Sequence, residues 1–289
     1  MPLEHPYSDL NGGHWLRGNL HTHTTASDGS RPLNEVVDDY VGRGHGFLMI
    51  SDHDTYTSQE ELDAVDSGEM ILIPGNEISR GGPHMLHVYP DCLVEPDEDR
   101  QKVIDDVNAV RGFIIVNHPN WTTRFNHCPL EKMEEWQGYN GMEIYNGVIC
   151  RLDGSPYATN KWDILLSAGR RIWGFANDDS HQPQDVGFGC NVAYVKDPSP
   201  AGVVAALENG QLYGSTGVTI ASIEVDGLDI RIETENAQRI VALRQIGKRL
   251  ATEDGNSIEL TVPEDTTYVR FECWGEGESF AWTQPFWVV

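Results

Sequence analysis

Basic residues are scarce in this chain. It has 20 lysines and arginines against 45 aspartates and glutamates, a formal net charge of −25 over 289 residues. Such a surface repels phosphate polymers at long range and argues against general binding of DNA or RNA. It leaves room for a small anionic substrate in a local pocket, and its plainest reading is solubility. Long apolar runs are also lacking. Phe113–Val116 and Met70–Ile73 fall far short of the roughly 18 residues that cross a bilayer, so no membrane association is expected. The leading residues Met1 to Pro6 have neither a basic start nor an apolar segment, so no secretory signal is read there and a cytoplasmic protein is expected. The five cysteines, Cys92, Cys128, Cys150, Cys190 and Cys273, are odd in number and form no C-x-x-C pair. They read as reduced thiols rather than a disulfide framework or a zinc knuckle, with Cys150 and Cys190 as spectators. Neither a G-x-S-x-G elbow nor a Walker loop occurs, so no serine nucleophile or nucleotide cradle of those kinds is expected.

Apolar residues make up 39% of the chain, enough to build a core and exclude wholesale disorder. They recur as short apolar run, polar cluster, helix. Trp15–Asn19 leads into His21-Thr22-His23, and Phe47–Ile50 into Ser51-Asp52-His53-Asp54. Met70–Ile73 leads into Pro74-Gly75-Asn76-Glu77, Phe113–Val116 into Asn117-His118-Pro119, and Arg171–Phe175 into Asp178-Asp179-Ser180-His181. Unbroken four-residue apolar runs fit strands buried on both faces, as in a parallel sheet or barrel. Helices are predicted over Leu33–Arg43, Asp97–Val110, Lys161–Ala168 and Pro200–Leu207. This alternation implies an α/β unit over residues 1–215. After Gly214-Ser215-Thr216-Gly217 the pattern changes to short alternating segments split by turns. Residues 216–289 are therefore predicted as a small, sandwich-like all-β domain, with Trp274, Trp282 and Trp287 in its core or interface.

Nearly every apolar run ends in His, Asp or Glu. His21 and His23 are two apart, and so are Asp179 and His181, so each pair shares one face of an extended strand. One histidine past a strand is usually a hydrogen-bonded loop residue. Eight candidate ligands (His21, His23, Asp28, His53, Glu77, His118, Asp179 and His181) at the ends of several runs point instead to a multinuclear metal site, since imidazole and carboxylate bind Zn, Mn and Fe.

His21-Thr22-His23, Asp28-Gly29, Ser51-Asp52-His53-Asp54, Gly75-Asn76-Glu77, Asn117-His118-Pro119 and Asp179-Ser180-His181 together resemble the polymerase and histidinol phosphatase (PHP) superfamily. The opening Trp15–Thr24 and the tail around Tyr268-Val269-Arg270 and Ala281–Pro285 resemble its carbaryl-hydrolase-like (CehA/McbA) branch. The resemblance implies a distorted (β/α)7 barrel with two or three divalent metal ions, Mn, Zn or Fe. It implies a first metal on His21, His23, Glu77 and Asp179. A second would share Glu77 and take His87 and His118, and a third would take Asp28, His53 and His181. His84 and His87 both lie within reach in Pro83–Tyr89 and point to opposite faces of a strand; the family's pattern favours His87 as the ligand.

The function expected is hydrolysis of small phosphate mono- or diesters by a metal-bridging hydroxide, without a covalent nucleophile. Three divalent cations outweigh the carboxylates Asp28, Glu77 and Asp179, leaving the site locally positive within an acidic protein. Asp179 is placed at the reacting centre, with His181 or His84 as the first candidates to protonate the leaving group. Arg80, Arg124, Arg151, Tyr145 and Asn146, with Glu143, are candidates to line the substrate pocket. Asp52 and Asp54 either orient His53 or cap the strand end. His5, His14, His45 and His127 are read as non-ligands. The rival readings are a carbamate or aryl-ester hydrolase using the same metals, and a metal-containing binding module.

Overall fold

The structure, a computed structural model, describes residues 2–289. In chain order the first part contains β1 (Leu3–Glu4), β2 (His14–Asn19), α1 (Leu33–Gly42), β3 (Phe47–Ile50), α2 (Gln59–Asp63), β4 (Ile71–Ile78) and β5 (Met85–Val88). It continues with α3 (Arg100–Asn108), β6 (Phe113–Val116), α4 (Leu130–Glu135), β7 (Gly141–Asn146), α5 (Thr159–Ser167), β8 (Trp173–Asn177), β9 (Cys190–Val195), α6 (Pro200–Glu208) and β10 (Leu212–Ser215). The remainder is all β: β11 (Ile220–Asp226), β12 (Asp229–Thr234), β13 (Arg239–Arg244), β14 (Lys248–Asp254), β15 (Ser257–Thr261), β16 (Tyr268–Trp274), β17 (Phe280–Thr283) and β18 (Phe286–Val288). No helix among the described residues is long and apolar enough to cross a membrane.

The apolar runs become strands for the expected reason. Every residue of β3, β5, β6 and β7 is buried, because helices cover one face of the sheet and its strands curl around the other. The strand order through this part is β9-β2-β3-β4-β5-β6-β7-β8. β2/β3, β3/β4, β6/β7 and β7/β8 pair in parallel, while β5 runs antiparallel to both neighbours. The α/β class and the all-β C-terminal part are as expected. No continuous ladder closes the expected (β/α)7 barrel between β8 and β2; past the strand ends a single parallel bridge, Thr22 to Ser180, joins them.

Side-chain amides cross the same seam. Asn177 Oδ1 accepts from the Leu20 N–H (3.1 Å) and from Asn191 Nδ2 (2.8 Å), and Asn191 Oδ1 accepts from the Ala176 N–H (3.0 Å). All three strands are buried here, so backbone groups left without a ladder need such partners.

The helices begin and end on local chemistry. Ser58 and Glu61 form a reciprocal capping box on α2, Asp99 caps α3, and Ser199 with Pro200 opens α6. α1 buries Val36, Val37 and Tyr40, and the Tyr40 hydroxyl donates to Asp178 Oδ2 at 2.9 Å.

In the C-terminal part, β11, β12 and β15 form a separate three-stranded sheet. It packs Ile230, Ile232 and Ile258 against Ile240, Val269, Phe271 and Cys273 of the other sheet, which is the sandwich-like packing expected. β17 pairs with β10, so this second sheet continues directly into the first. Trp282 and Trp287 are buried, and Trp274 is partly covered by the Arg249 guanidinium, 5.2 Å from its ring.

Candidate metal centre

β2 delivers His21 and His23 at its end, and β8 delivers Asp179 and His181. The two segments are tied by a Thr22–Ser180 bridge and by the His23 N–H donating to Ser180 O at 2.9 Å. Asp52 gathers the loop after His23, accepting from Thr24 N (2.7 Å), Thr24 Oγ1 (2.7 Å) and Ser27 Oγ (2.6 Å), which presents Asp28. Gly29 is required in that loop, since a Cβ there would lie 2.6 Å from the His23 carbonyl. Asp54 accepts from the Ser79 N–H at 2.9 Å and ties the His53 loop to the end of β4. Both aspartates therefore organise loops rather than touch the His53 ring.

Glu77 lies within β4, not just past it. The strand runs on through Pro74 and Gly75 because β5 pairs along it, Glu77 opposite Leu86. A Cβ at Gly75 would meet the Met49 side chain and the Ile50 carbonyl.

These segments converge on a buried cluster. His21 Nε2 lies 3.2 Å from Glu77 Oε2 and 3.2 Å from Asp179 Oδ1. His23 Nε2 lies 3.3 and 3.1 Å from the same two oxygens. His53 Nδ1 approaches Glu77 Oε2 at 2.9 Å, while His84 Nδ1 and His118 Nε2 reach Glu77 Oε1 at 3.1 and 3.2 Å. His181 Nε2 and His53 Nε2 face Asp28 Oδ1 at 3.4 and 3.7 Å. The ligand atoms of His21, His23, Glu77 and Asp179 lie within 4.8 Å of one another, and so do those of His23, Asp28, His53 and His181. His118 and Asp179 hold positive φ of 26° and 56°. Such backbone costs on the order of 1–3 kcal/mol per residue and persists only where the surroundings dictate it.

His87, expected as a ligand, is not in the cluster. Its Nε2 meets the Arg111 carbonyl at 2.8 Å on the opposite side of β5. His84 takes the place beside Glu77, because residues three apart along an extended chain face opposite ways. His127, read as a non-ligand, stands 4.6 Å from His84 and 4.8 Å from His118, ring to ring. Its Nε2 accepts the His84 N–H at 3.0 Å, and burial together with its histidine neighbours pushes its pKa down to about 2.

Glu143 is the main residue that sequence pattern underplayed. It is fully buried in β7, accepting from His21 Nδ1 (2.8 Å), Asn177 Nδ2 (2.9 Å), the His118 N–H (2.7 Å) and Asn146 Nδ2 (2.8 Å). It thereby orients one ligand ring and the backbone of another. Asn146 also donates to Asp179 Oδ2 at 3.2 Å, so it braces carboxylates instead of lining the cavity. Tyr145 turns away, stacking 5.9 Å from Trp282, with its hydroxyl 3.6 Å from Cys150 Sγ. Arg80 and Arg124 are exposed and do not line the cavity. Arg151 does, with one edge of its guanidinium, Nε and Nη2, already donating to Asp185 at 2.7 and 2.8 Å.

The cavity over the cluster has a volume of about 290 Å³. Its lining combines the cluster residues Asp28, His53, Glu77, His84, His118, Asp179 and His181 with apolar Trp121, Val148, Ile149 and Leu152 and with Arg151 and Gln182.

The electrostatics identify what the cluster is built for. Burial raises the pKa of Glu77, but His21, His84 and His118 override it and hold the carboxyl well below its usual range. Burial likewise opposes, and His21 and His23 enforce, the ionised state of Asp179. A hydrogen bond from His181 draws Asp28 down to about 2, while burial opposes and Asp28 raises His181 to about 9. Glu143 accepts from His21 Nδ1, so Nε2 faces two carboxylate oxygens; burial opposes, but Asp179, Glu77 and Glu143 raise the His21 pKa well above its usual value, and the second proton this places on Nε2 is the one a divalent cation would displace. His21 Nε2, Glu77 Oε2, His53 Nδ1 and His118 Nδ1 are buried without hydrogen-bond partners. Imidazole nitrogens converging on ionised carboxylates are what a divalent cation satisfies, and the mixed N/O donors suit Zn, Mn or Fe.

No family model and no curated protein matches the sequence. Among solved structures, a two-domain protein from Bacteroides vulgatus containing a predicted PHP-like metal-dependent phosphoesterase is similar. It has a TM-score of 0.58 and 17% identity, over 99% of this chain and 90% of that one. PfuEndoQ, a lesion-specific endonuclease from Pyrococcus furiosus, aligns over 68% of this chain and 56% of its own, with 15% identity and a TM-score of 0.49. An amidohydrolase from Chromobacterium violaceum aligns over 58% and 89%, with 13% identity and a TM-score of 0.44. What the first of these shows is a shared fold that extends through both the α/β and the C-terminal β parts, and none of them singles out the carbaryl-hydrolase-like branch.

Proposed function

We propose that this chain is a metal-dependent hydrolase of the PHP superfamily that cleaves small phosphate mono- or diesters. The observation that carries the reading is the buried quartet His21, His23, Glu77 and Asp179, whose ligand atoms converge and in which His21 Nε2 and Glu77 Oε2 are buried without a hydrogen-bond partner. Two or three divalent ions held by the quartet, by Asp28, His53 and His181, and by Glu77, His84 and His118 would activate water and shield phosphoryl oxygens. The protein's own side chains do the rest. Glu143 keeps His21 in one tautomer and Asn146 braces Asp179. The cavity is at the small end for ligand sites, which suits a small ester and not a nucleic-acid strand. His84 and His181 line it and are the first candidates to protonate the leaving group. Arg151, engaged by Asp185, guards the rim instead of reaching freely for the substrate.

The apolar lining residues Trp121, Val148, Ile149 and Leu152 favour a second reading, hydrolysis of a carbamate or aryl ester at the same centre. The deciding experiment compares nitrophenyl phosphate, bis(nitrophenyl) phosphate and a naphthyl carbamate after reconstitution with Mn, Zn or Fe, with Glu77→Gln as control. Metal-dependent turnover of a phosphate ester, lost in the control, supports the proposal. Turnover of the carbamate alone transfers it to the second reading, and no turnover with metal bound refutes both.

A further inference from the structure

Residues 118–128 form an awkward loop. His118, Thr122 and Phe125 hold φ of 26°, 79° and 53°, a left-handed backbone that none of them favours. The loop nevertheless carries three groups that meet at the second half of the metal cluster. His118 points to Glu77. Trp121 packs 5.2 Å from the His118 ring and 5.7 Å from the His84 ring. His127 accepts the His84 N–H.

What holds the loop is the first turn of α5. The Lys161 side chain is buried, and its Nζ donates to the carbonyls of Pro119 (2.9 Å), Phe125 (3.2 Å) and Cys128 (2.7 Å). All three ammonium protons are thus spent on this one loop, and no carboxylate among the described residues pairs with the charge. The neighbouring Asn160 Oδ1 accepts from Asn120 Nδ2 at 2.8 Å. A lysine buried with carbonyls alone is rare and costly, and here it closes a strained loop at its two ends and its middle.

Resting on the metal-centre reading above, we propose that Lys161 is a positioning residue for the Glu77–His84–His118 part of that centre, acting through the loop it ties and not through contact with metal or substrate. Replacing it frees the loop to relax its backbone, and His118 and His84 lose their set positions. Outer groups of this kind typically change metal affinity by about 10- to 100-fold when removed.

The test is metal binding to the whole chain, stripped of metal and titrated with Mn or Zn against a competing chelator, with no assay of activity. Lys161→Met is expected to bind one ion fewer, or one ion about 10- to 100-fold more weakly, while the remaining ions bind as in the parent protein. In a His118→Ala background, where that part of the centre is already broken, Lys161→Met is expected to change metal binding no further. Unchanged binding in Lys161→Met, loss of every ion together, or an equal further loss in the His118→Ala background would each overturn the proposal. If Lys161→Met does not fold by circular dichroism, Lys161→Gln and Asn160→Ala face the same criteria. Metal uptake without any ester hydrolysis refutes the proposed function and leaves this inference standing; no metal uptake by the parent protein ends both.

Discussion

Glu143 Oε1 lies 2.8 Å from His21 Nδ1, in a place where neither group sees solvent. This contact holds the Nδ1 proton and aims Nε2 between Glu77 and Asp179, where a bound cation would take the place of a second proton. Glu143 accepts from four donors at once, so an amide in its place would turn an N–H toward one of them. Glu143→Gln is therefore expected to weaken metal binding by about 10- to 100-fold while the chain still folds. Chelator competition measures this directly, and an affinity equal to the parent's would refute the orienting role.

The exchange of roles between His84 and His87 predicts a contrast. His84→Ala should lower the metal content retained after dialysis, measured by mass spectrometry of the bound elements. His87→Ala should leave the metal content alone. It should instead cost about 1–3 kcal/mol in urea unfolding, by leaving the Arg111 carbonyl without its partner. Metal loss in the His87 variant would reverse the assignment.

His45 gives the fold a specific acid sensitivity. Its ring is buried edge-on to Tyr40, and neither nitrogen has a hydrogen-bond partner. Burial first, and Arg17 second, pull its pKa down to about 4. The unfolded chain, with an ordinary value of about 6.5, takes up the proton earlier as the pH falls. The stability that neutral His45 confers is thus complete above about pH 6.5 and is lost on descending toward pH 4, at most about 3 kcal/mol. His45→Phe should flatten this part of the pH dependence. Metal-free parent and variant, unfolded in urea at pH 7 and pH 5, should differ in how much stability each loses; equal losses would remove His45 as the cause.

Asp163 on α5 and Arg270 on β16 form a buried bidentate pair, at 2.8 and 2.7 Å, that ties the C-terminal sheet to the α/β part. Arg270→Met strands Asp163 in the interior and should cost about 3–5 kcal/mol. Asp163→Leu with Arg270→Met together should restore much of that loss. A double variant as unstable as the single one would show that the contact does more than cancel two buried charges.

The sequence exposed the cluster because strand ends in an α/β sheet concentrate function, and imidazoles there are visible as residue types. The helices α1, α3, α5 and α6 were equally legible, since their apolar faces recur at helical spacing. Glu143 was hard to see as a supporting residue because β7 is buried throughout, and one acid within such a strand gives no periodic sign of what it faces. The choice between His84 and His87 turned on an antiparallel strand of four residues, whose register depends on partners 7 to 31 positions away. The proximity of His127 follows from a loop held by Lys161, a long-range contact that no local pattern announces. β14, Lys248–Asp254, is a mostly exposed strand with few apolar positions and gives little alternating signal. At the seam beside β8, asparagine side chains supplement a single backbone bridge, a long-range arrangement that no local pattern announces.

The cluster's donors enter the chain at His21 and are complete only at His181, spread over strand ends that meet nowhere but in the finished sheet. The local piece His21, His23 and Asp28 falls short of either four-residue group, each of which needs donors from distant segments. Full metal affinity is therefore expected only after assembly, and metal uptake would double as a readout of whether the α/β part has reached its native arrangement.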